Sequence, residues 1–441
     1  METCVTVHFD QTVGPMKPMH AINNAPFYGC DDHLFPALTQ AGIPYARLHD
    51  TGGRYGGNVF VDIANIFRDE NADPNDPAAY DFAFTDWLLG ALHKAGVQPF
   101  YRLGATIEND HRVRAYRIFP PKDPHRWALI CDGIIRHYNE GWANGFHYDI
   151  RYWEIWNEPD NQPETADNPM WKGSMEDYFT LYEVAARLLK QRHPQLMIGG
   201  YASCGFYSIL NVHAAVANSS PRTDYFLTFF ERFLQHITDP QHTAPLDFFS
   251  WHSYSGIEEN LQYAAYARQR LDAYGLQNTQ SILNEWNPGI HNRGKTVDAA
   301  QICGMMAALQ KSSVDMLMYY DGQINSYNGM WNPVTEEPYA AYYAFGAFHA
   351  LYRLRHEAAS TSSTHALRAV AAADGPHAAL LLVNNTGTQQ TVTLQLHGQP
   401  VGAMRLRRID DTHTLADAPQ PFDGASLTLP VDGIALLEIG G

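Results

Sequence analysis

The sequence predicts an α/β chain in which a (β/α)8 TIM barrel is followed by a smaller C-terminal β-sandwich. Three observations carry this reading. Across residues 18–357, short apolar or β-branched runs alternate with longer segments of helical periodicity, and eight such units can be counted; that rhythm builds parallel sheets from βα units. No Gly-x-Gly-x-x-Gly follows an early strand, so a closed barrel fits better than an open, doubly wound nucleotide-binding sheet. Across residues 358–441 the pattern becomes short strands between turn residues, with no helix visible, as in a β-sandwich.

The barrel strands are expected at 20–24, 45–50, 98–104, 150–157, 197–202, 248–254, 281–286 and 316–321. The clearest helices are expected at 82–95, 124–139, 175–192, 257–274, 297–311 and 342–354, with Ser174 as a cap before Met175. The sandwich strands are expected at 366–371, 378–384, 391–396, 403–409, 426–429 and 433–439. Residues 1–17 hold one more strand, around Val5 to Phe9, which could join the sandwich.

Composition excludes several functions. The formal charge of −17 argues against nucleic acid or an anionic membrane as partner, since both need a basic footprint. No apolar run approaches the length of a membrane span, and the N-terminus has no basic region followed by an apolar one, as a secretory signal would. The five cysteines (Cys4, Cys30, Cys131, Cys204, Cys303) are scattered and odd in number, which fits a reducing, cytoplasmic setting better than a disulfide framework. The sequons at Asn218 and Asn384 are therefore read as chance. The histidines near the expected barrel mouth (His49, His111, His252, His291) lack HxxxH or HxH spacing, so neither a metal nor another cofactor is expected. Self-association into a homo-oligomer is left open.

Two carboxylates stand out. The fourth strand runs into Tyr152-Trp153-Glu154-Ile155-Trp156-Asn157-Glu158-Pro159, and the seventh ends in Asn284-Glu285-Trp286-Asn287. Active groups of such barrels sit at the C-terminal strand ends, where the fourth and seventh strands face each other across the mouth. Strand alternation puts Glu154, Trp156 and Glu158 on one side. Two carboxyls roughly 5–5.5 Å apart suit double displacement at a glycosidic bond, one protonated and one ionised. A lone Glu at a strand end is usually structural; the pair in one barrel points to chemistry. Glu154, two residues deeper, reads as a buried supporting group.

Glu-Ile-Trp-Asn-Glu-Pro at 154–159 and Asn-Glu-Trp-Asn at 284–287 resemble glycoside hydrolase family 39, which includes β-xylosidases and α-L-iduronidases. The resemblance implies a retaining glycosidase with Glu158 as acid/base and Glu285 as nucleophile. It also implies that Asn157 bonds the sugar 2-hydroxyl, and that His252 and Tyr254 flank the nucleophile. The chain departs from the family in three places, the first being the Arg47-Leu48-His49-Asp50 run of the second strand. Asn284 stands where Thr or Ser often precedes the nucleophile, and Arg102 stands where xylosidases tend to carry a carboxylate. Xylose specificity therefore does not follow.

Further sugar contacts are expected from His49, Asp50, Arg102, Trp286, Tyr320 and Trp331, the last as a stacking platform. The glycine-rich loop 52–57 reads as a loop beside the site, and Arg54, Arg114, Arg117, Arg293 and Lys295 as loop charges able to meet a uronic acid. The expected substrate is an oligosaccharide or glycoside attacked from its end. An endo-acting hydrolase or transglycosylase would show an open groove, and a silent sugar-binding protein on the same scaffold would not need both carboxylates.

Overall fold

The computed structural model describes residues 3–27, 29, 31–51, 60–106, 118–210, 220–324 and 327–440. Cys30, loop 52–57 with Arg54, His111, Arg114, Arg117 and Asn218 lie outside them.

In chain order, β1 (Thr3–Pro15) precedes barrel strand β2 (Ala21–Asn23). Helix α1 (Phe35–Ala41) leads to β3 (Tyr45–Leu48), and α2 (Ile63–Ile66) with α3 (Ala83–Ala95) to β4 (Gln98–Leu103). The units α4 (Pro124–Glu140)–β5 (Tyr152–Ile155), α5 (Met175–Arg192)–β6 (Met197–Ser203) and α6 (Pro221–Thr238)–β7 (Phe248–Ser253) follow. Then come α7 (Ile257–Ala273)–β8 (Gln280–Trp286), α8 (Thr296–Gln310)–β9 (Met316–Tyr320) and α9 (Ala340–Tyr352). Strands β2 to β9 close into a parallel barrel in sequence order, β2 pairing with β9.

Local chemistry starts these helices. Ser174 and Asp177 make a reciprocal capping box at α5, and Asp123 accepts from the amides of His125 and Arg126 at α4. Helix α6, which was not among the clearest expected helices, opens with Pro221 at its first position and a Ser220–Thr223 box.

The second unit is a nine-stranded sheet with order β15-β14-β17-β12-β11-β10-β1-β13-β16. Its strands are β10 (His356–Ser362), β11 (Leu367–Asp374), β12 (His377–Asn384), β13 (Gln390–His397), β14 (Met404–Ile409), β15 (Gln420–Pro421), β16 (Ser426–Leu429) and β17 (Ile434–Ile439). The N-terminal strand pairs antiparallel with β10 and parallel with β13. Alternation assigns the two faces of the central strands: Ala369, Ala371, Leu380, Leu382, Ala435 and Leu437 fill the sandwich core. Their neighbours Val370, Ala372, Leu381, Val383 and Leu436 join the barrel core instead. The strands are buried on both sides because the outer face packs on α8 and α9. Asn384 is fully buried and donates to the carbonyls of Thr388 and Pro430, so its sequon has no exposed amide.

Inside the barrel, the lower bore is plugged by Ala21, Phe100, Tyr152, Phe248, Ile282, Met316 and Met318. Two residues beyond Ala21, Phe100, Tyr152, Phe248 and Ile282 the lining turns polar, with Asn23, Arg102, Glu154, Ser250 and Asn284. No helix among the described residues is long and apolar enough to cross a membrane.

Candidate active site

Arg47 is the centre of the polar upper layer. Its side chain is fully buried, and it reaches three partners: Nε donates to Glu154 Oε2 (2.8 Å), Nη2 to Asn157 Oδ1 (2.6 Å) and Nη1 to Glu285 Oε2 (3.3 Å). Glu154 Oε1 accepts from Ser250 Oγ and Asn284 Nδ2, both at 2.6 Å. With every oxygen bonded and no exposure, Glu154 is held in place and orients Arg47 and Asn284. This agrees with the supporting role expected for it.

Glu285 takes Tyr254 Oη on Oε1 (2.7 Å) and Asn23 Nδ2 on Oε2 (3.3 Å), beside the Arg47 contact. Glu158 takes His252 Nδ1 on Oε1 (2.8 Å) and Asn161 Nδ2 on Oε2 (2.7 Å). Arg222 at the start of α6 in turn binds both the backbone carbonyl (2.7 Å) and Oδ1 (3.2 Å) of Asn161. One atom each of Glu158, His252 and Glu285 lie within 4.8 Å of one another.

Strict alternation would not deliver this constellation. Asn284 and Glu285 are consecutive, yet both serve the bore. A register shift between β7 and β8 after Trp251↔Leu283 sets His252 opposite Glu285; such bulges re-aim side chains. At the fourth strand, pairing ends at Ile155 and Trp156 adopts φ 76°, Glu158 φ 47°. Non-glycine residues in this region carry strain of about 1–3 kcal/mol, typical of functional sites. The break turns Trp156 out of the bore: its indole donates to Met170 O and packs at a steep angle on Trp171. Trp156 therefore does not share a side with Glu154 as alternation implied. Gly104 at the top of β4, φ 138°, allows this approach, since a Cβ there would stand 3.0 Å from the Trp156 ring.

Protons distribute unevenly in the free site. Burial would raise Glu158, but the hydrogen bond and charge of His252, with Asn161, bring it below the ordinary carboxylate value. Burial and the Glu158 charge raise Glu285 against the opposing pull of His252 and Arg47. Burial opposes a proton on His252, yet the charges of Glu285 and Glu158 prevail and raise it. The proton thus rests on the His252 side of the His252–Glu158 pair.

The remaining expected residues divide. Asp50 bonds Tyr320 Oη (2.8 Å) and Thr106, and lies 3.2 Å from His49 Nε2. Burial raises the Asp50 carboxyl and lowers His49 well below its usual value. Arg102 has no exposure; its Nη2 donates to Asp62 Oδ1 (2.6 Å) and His49 O (2.8 Å). Through that carbonyl it braces His49. Trp331 is 2% exposed and packs on Tyr342, so it offers no open stacking face. Trp286 is equally buried, its indole donating to Ser255 O. Tyr254, 43% exposed, and the neighbouring Tyr327, 42% exposed, are aromatics at the site with open surface. Lys295 Nζ donates to His291 O of its own turn (3.4 Å). Arg47, Asn23 and Asn161 were not singled out from sequence; the Arg47-Leu48-His49-Asp50 run was the available signal for the first.

A parallel eight-stranded barrel with two opposed carboxylates at its C-terminal mouth is a glycoside hydrolase scaffold. The chain belongs to glycosyl hydrolases family 39, whose family model matches residues 4–288 and so includes both motifs. It is similar to a β-xylosidase of Geobacillus stearothermophilus, 26% identical over 250 residues, or 55% of this chain and 42% of that protein. The match thus spans less than half of that curated relative's length. In fold it resembles a glucosidase from Croceicoccus marinus, with TM-score 0.80, 21% identity, and 100% and 99% of the two chains covered. It also resembles a monomeric β-xylosidase from Caulobacter crescentus, with TM-score 0.69, 16% identity and 99% of both chains covered.

Proposed function

We propose that this chain is a retaining glycosidase that removes a terminal sugar from short oligosaccharides or glycosides, with Glu285 as nucleophile and Glu158 as acid/base. The observation that carries it is the approach of the Glu158, His252 and Glu285 atoms to within 4.8 Å of one another. That leaves room for an anomeric carbon and no space for the extra water of an inverting site. The β-xylosidase and glucosidase names of its relatives favour action on a terminal sugar. The unpaired Cys4, Cys131, Cys204 and Cys303 favour a reducing, cytoplasmic setting.

In the first step a Glu285 oxygen attacks the anomeric carbon. The glycosidic C–O bond breaks, and its electron pair leaves on the aglycone oxygen, which takes a proton from Glu158. The His252–Glu158 pair supplies that proton by shifting it onto the carboxyl across 2.8 Å. In the second step Glu158 takes a proton from water, the hydroxide adds to the anomeric carbon, and Glu285 departs as carboxylate. Arg47 offsets the Glu285 charge at both ends of the cycle. Asn157, its Oδ1 held by Arg47, keeps its amide nitrogen for the sugar 2-hydroxyl. Asp50, His49 and Tyr320 meet the outer hydroxyls. Arg102 stands where xylosidases tend to carry a carboxylate, so xylose does not follow as the accepted sugar.

A panel of aryl xylosides, arabinosides, galactosides, glucosides, furanosides and uronides, with NMR of the first-formed anomer, tests this. Cleavage of one class with retained configuration is expected. Inverted product, or silence across the panel with activity on internal bonds of a polymer, would overturn it.

A further inference from the structure

A second Glu–His cluster lies away from the barrel mouth. Helix α6 descends toward the N-terminal end of β7, and near its end His236 meets Glu183 of α5 and His242 of the following turn. His236 Nε2 is 2.9 Å and His242 Nδ1 3.0 Å from the same oxygen, Glu183 Oε2. The two imidazoles stack at 4.5 Å, and all three ligand atoms lie within 4.8 Å of one another. Arg187, one turn along α5, holds the other carboxylate oxygen at 2.5 Å. It also donates from Nε to Thr243 O at 2.7 Å, which ties the His242 turn to the same carboxylate. The Glu183 side chain is 11% exposed and that of His242 48%, so the point of convergence is walled on one side and open to water on the other.

We propose that Glu183, His236 and His242 bind one divalent transition-metal ion of zinc type, with water completing the shell. A metal ion takes one lone pair from each ring and shares the carboxylate. Zinc–ligand bonds of about 2.0–2.1 Å put tetrahedral ligand atoms roughly 3.3 Å apart, a few tenths of an ångström from the two carboxylate–imidazole distances. Arg187 is the outer partner that fixes the carboxylate, as ligating carboxylates require. The ion would clamp α5, α6 and the turn into β7 without touching the reaction. Sequence spacing gave no warning, because five residues that straddle a helix end separate His236 from His242, and Glu183 comes from another helix.

The test is a Zn2+ titration of chelator-treated full-length protein by calorimetry, with Co2+ as an absorption probe of tetrahedral geometry. One ion per chain is expected to bind at this site and raise the Tm. Glu183→Gln and the half-exposed His242→Ala should each weaken that binding at least tenfold and remove the Tm gain, with unchanged kcat on the aryl substrate. Arg187→Ala should weaken it by about 10–100-fold. No binding, binding undiminished in both ligand variants, or an ion that instead blocks hydrolysis through Glu158, His252 and Glu285 would overturn the proposal.

Discussion

The lower and upper halves of the barrel bore differ by two residues on five of its strands and by almost everything in chemistry. Below, Phe100, Tyr152, Phe248 and Ile282 interlock as an apolar plug. Above, on the same strands, stand Arg102, Glu154, Ser250 and Asn284, all fully buried. The plug gains from dispersion and apolar burial and closes the barrel. The upper layer buries charge, which is costly unless each ion is paired and bonded. The contrast shows where the molecule trades stability for function. Three carboxylates are tolerable in that layer because Arg47 and His252 lie between them.

Removal of the reacting groups should produce the largest effect and leave the plug untouched. Glu285→Gln is expected to abolish hydrolysis by several orders of magnitude with no fall in Tm, since its buried carboxyl is raised and costs stability when ionised. A matching fall in Tm would erase the distinction between the layers. Glu158→Gln should cost roughly 10²–10⁴-fold in kcat, and much less on aryl glycosides whose leaving groups need no proton. Equal losses on both substrates would deny it the acid role.

Arg47→Met crosses the comparison, because it should damage both properties. An uncompensated Glu154 in the bore is expected to cost about 3–5 kcal/mol in denaturant unfolding, together with most activity. Phe100→Ala should cost a similar ~3–5 kcal/mol through cavity formation while kcat per folded molecule stays near wild type. Near-wild-type stability there would mean that the plug does not close the barrel.

The smallest effect concerns pH. His252 is raised above its ordinary value of about 6.5, so the pair keeps its proton below that raised value and loses it as pH climbs through it. The alkaline limb of kcat/KM should therefore lie above about 6.5. In His252→Asn the limb should move to lower pH, because a carboxyl alone then carries the proton. An unmoved limb would assign it to another group.

Much of this was legible in the sequence, for physical reasons. Short apolar or β-branched runs and helical periodicity mark the βα units. The Asn157-Glu158-Pro159 and Asn284-Glu285-Trp286 strings mark both carboxylates. Three features broke the pattern reading. Alternation fails where the β7–β8 register shifts and where Trp156 turns to positive φ, so Trp156 leaves the bore while Asn284 and Glu285 both serve it. Arg47 and Asn161 act through partners remote in sequence, which no local pattern shows. Trp286 and Trp331 look like sugar platforms by position, yet packing against the barrel's own helices and loops buries them.

The central claim, that Glu285 is the nucleophile facing a Glu158 acid, has one most direct measurement. Glu285→Gly is incubated with azide and an aryl glycoside that the wild type cleaves, and the product is read by NMR. The account predicts rescue that yields a glycosyl azide of inverted configuration, because azide enters through the space left by the missing carboxylate while Glu158 assists departure. Failure of rescue in a folded variant, or a glycosyl azide of retained configuration, would contradict it.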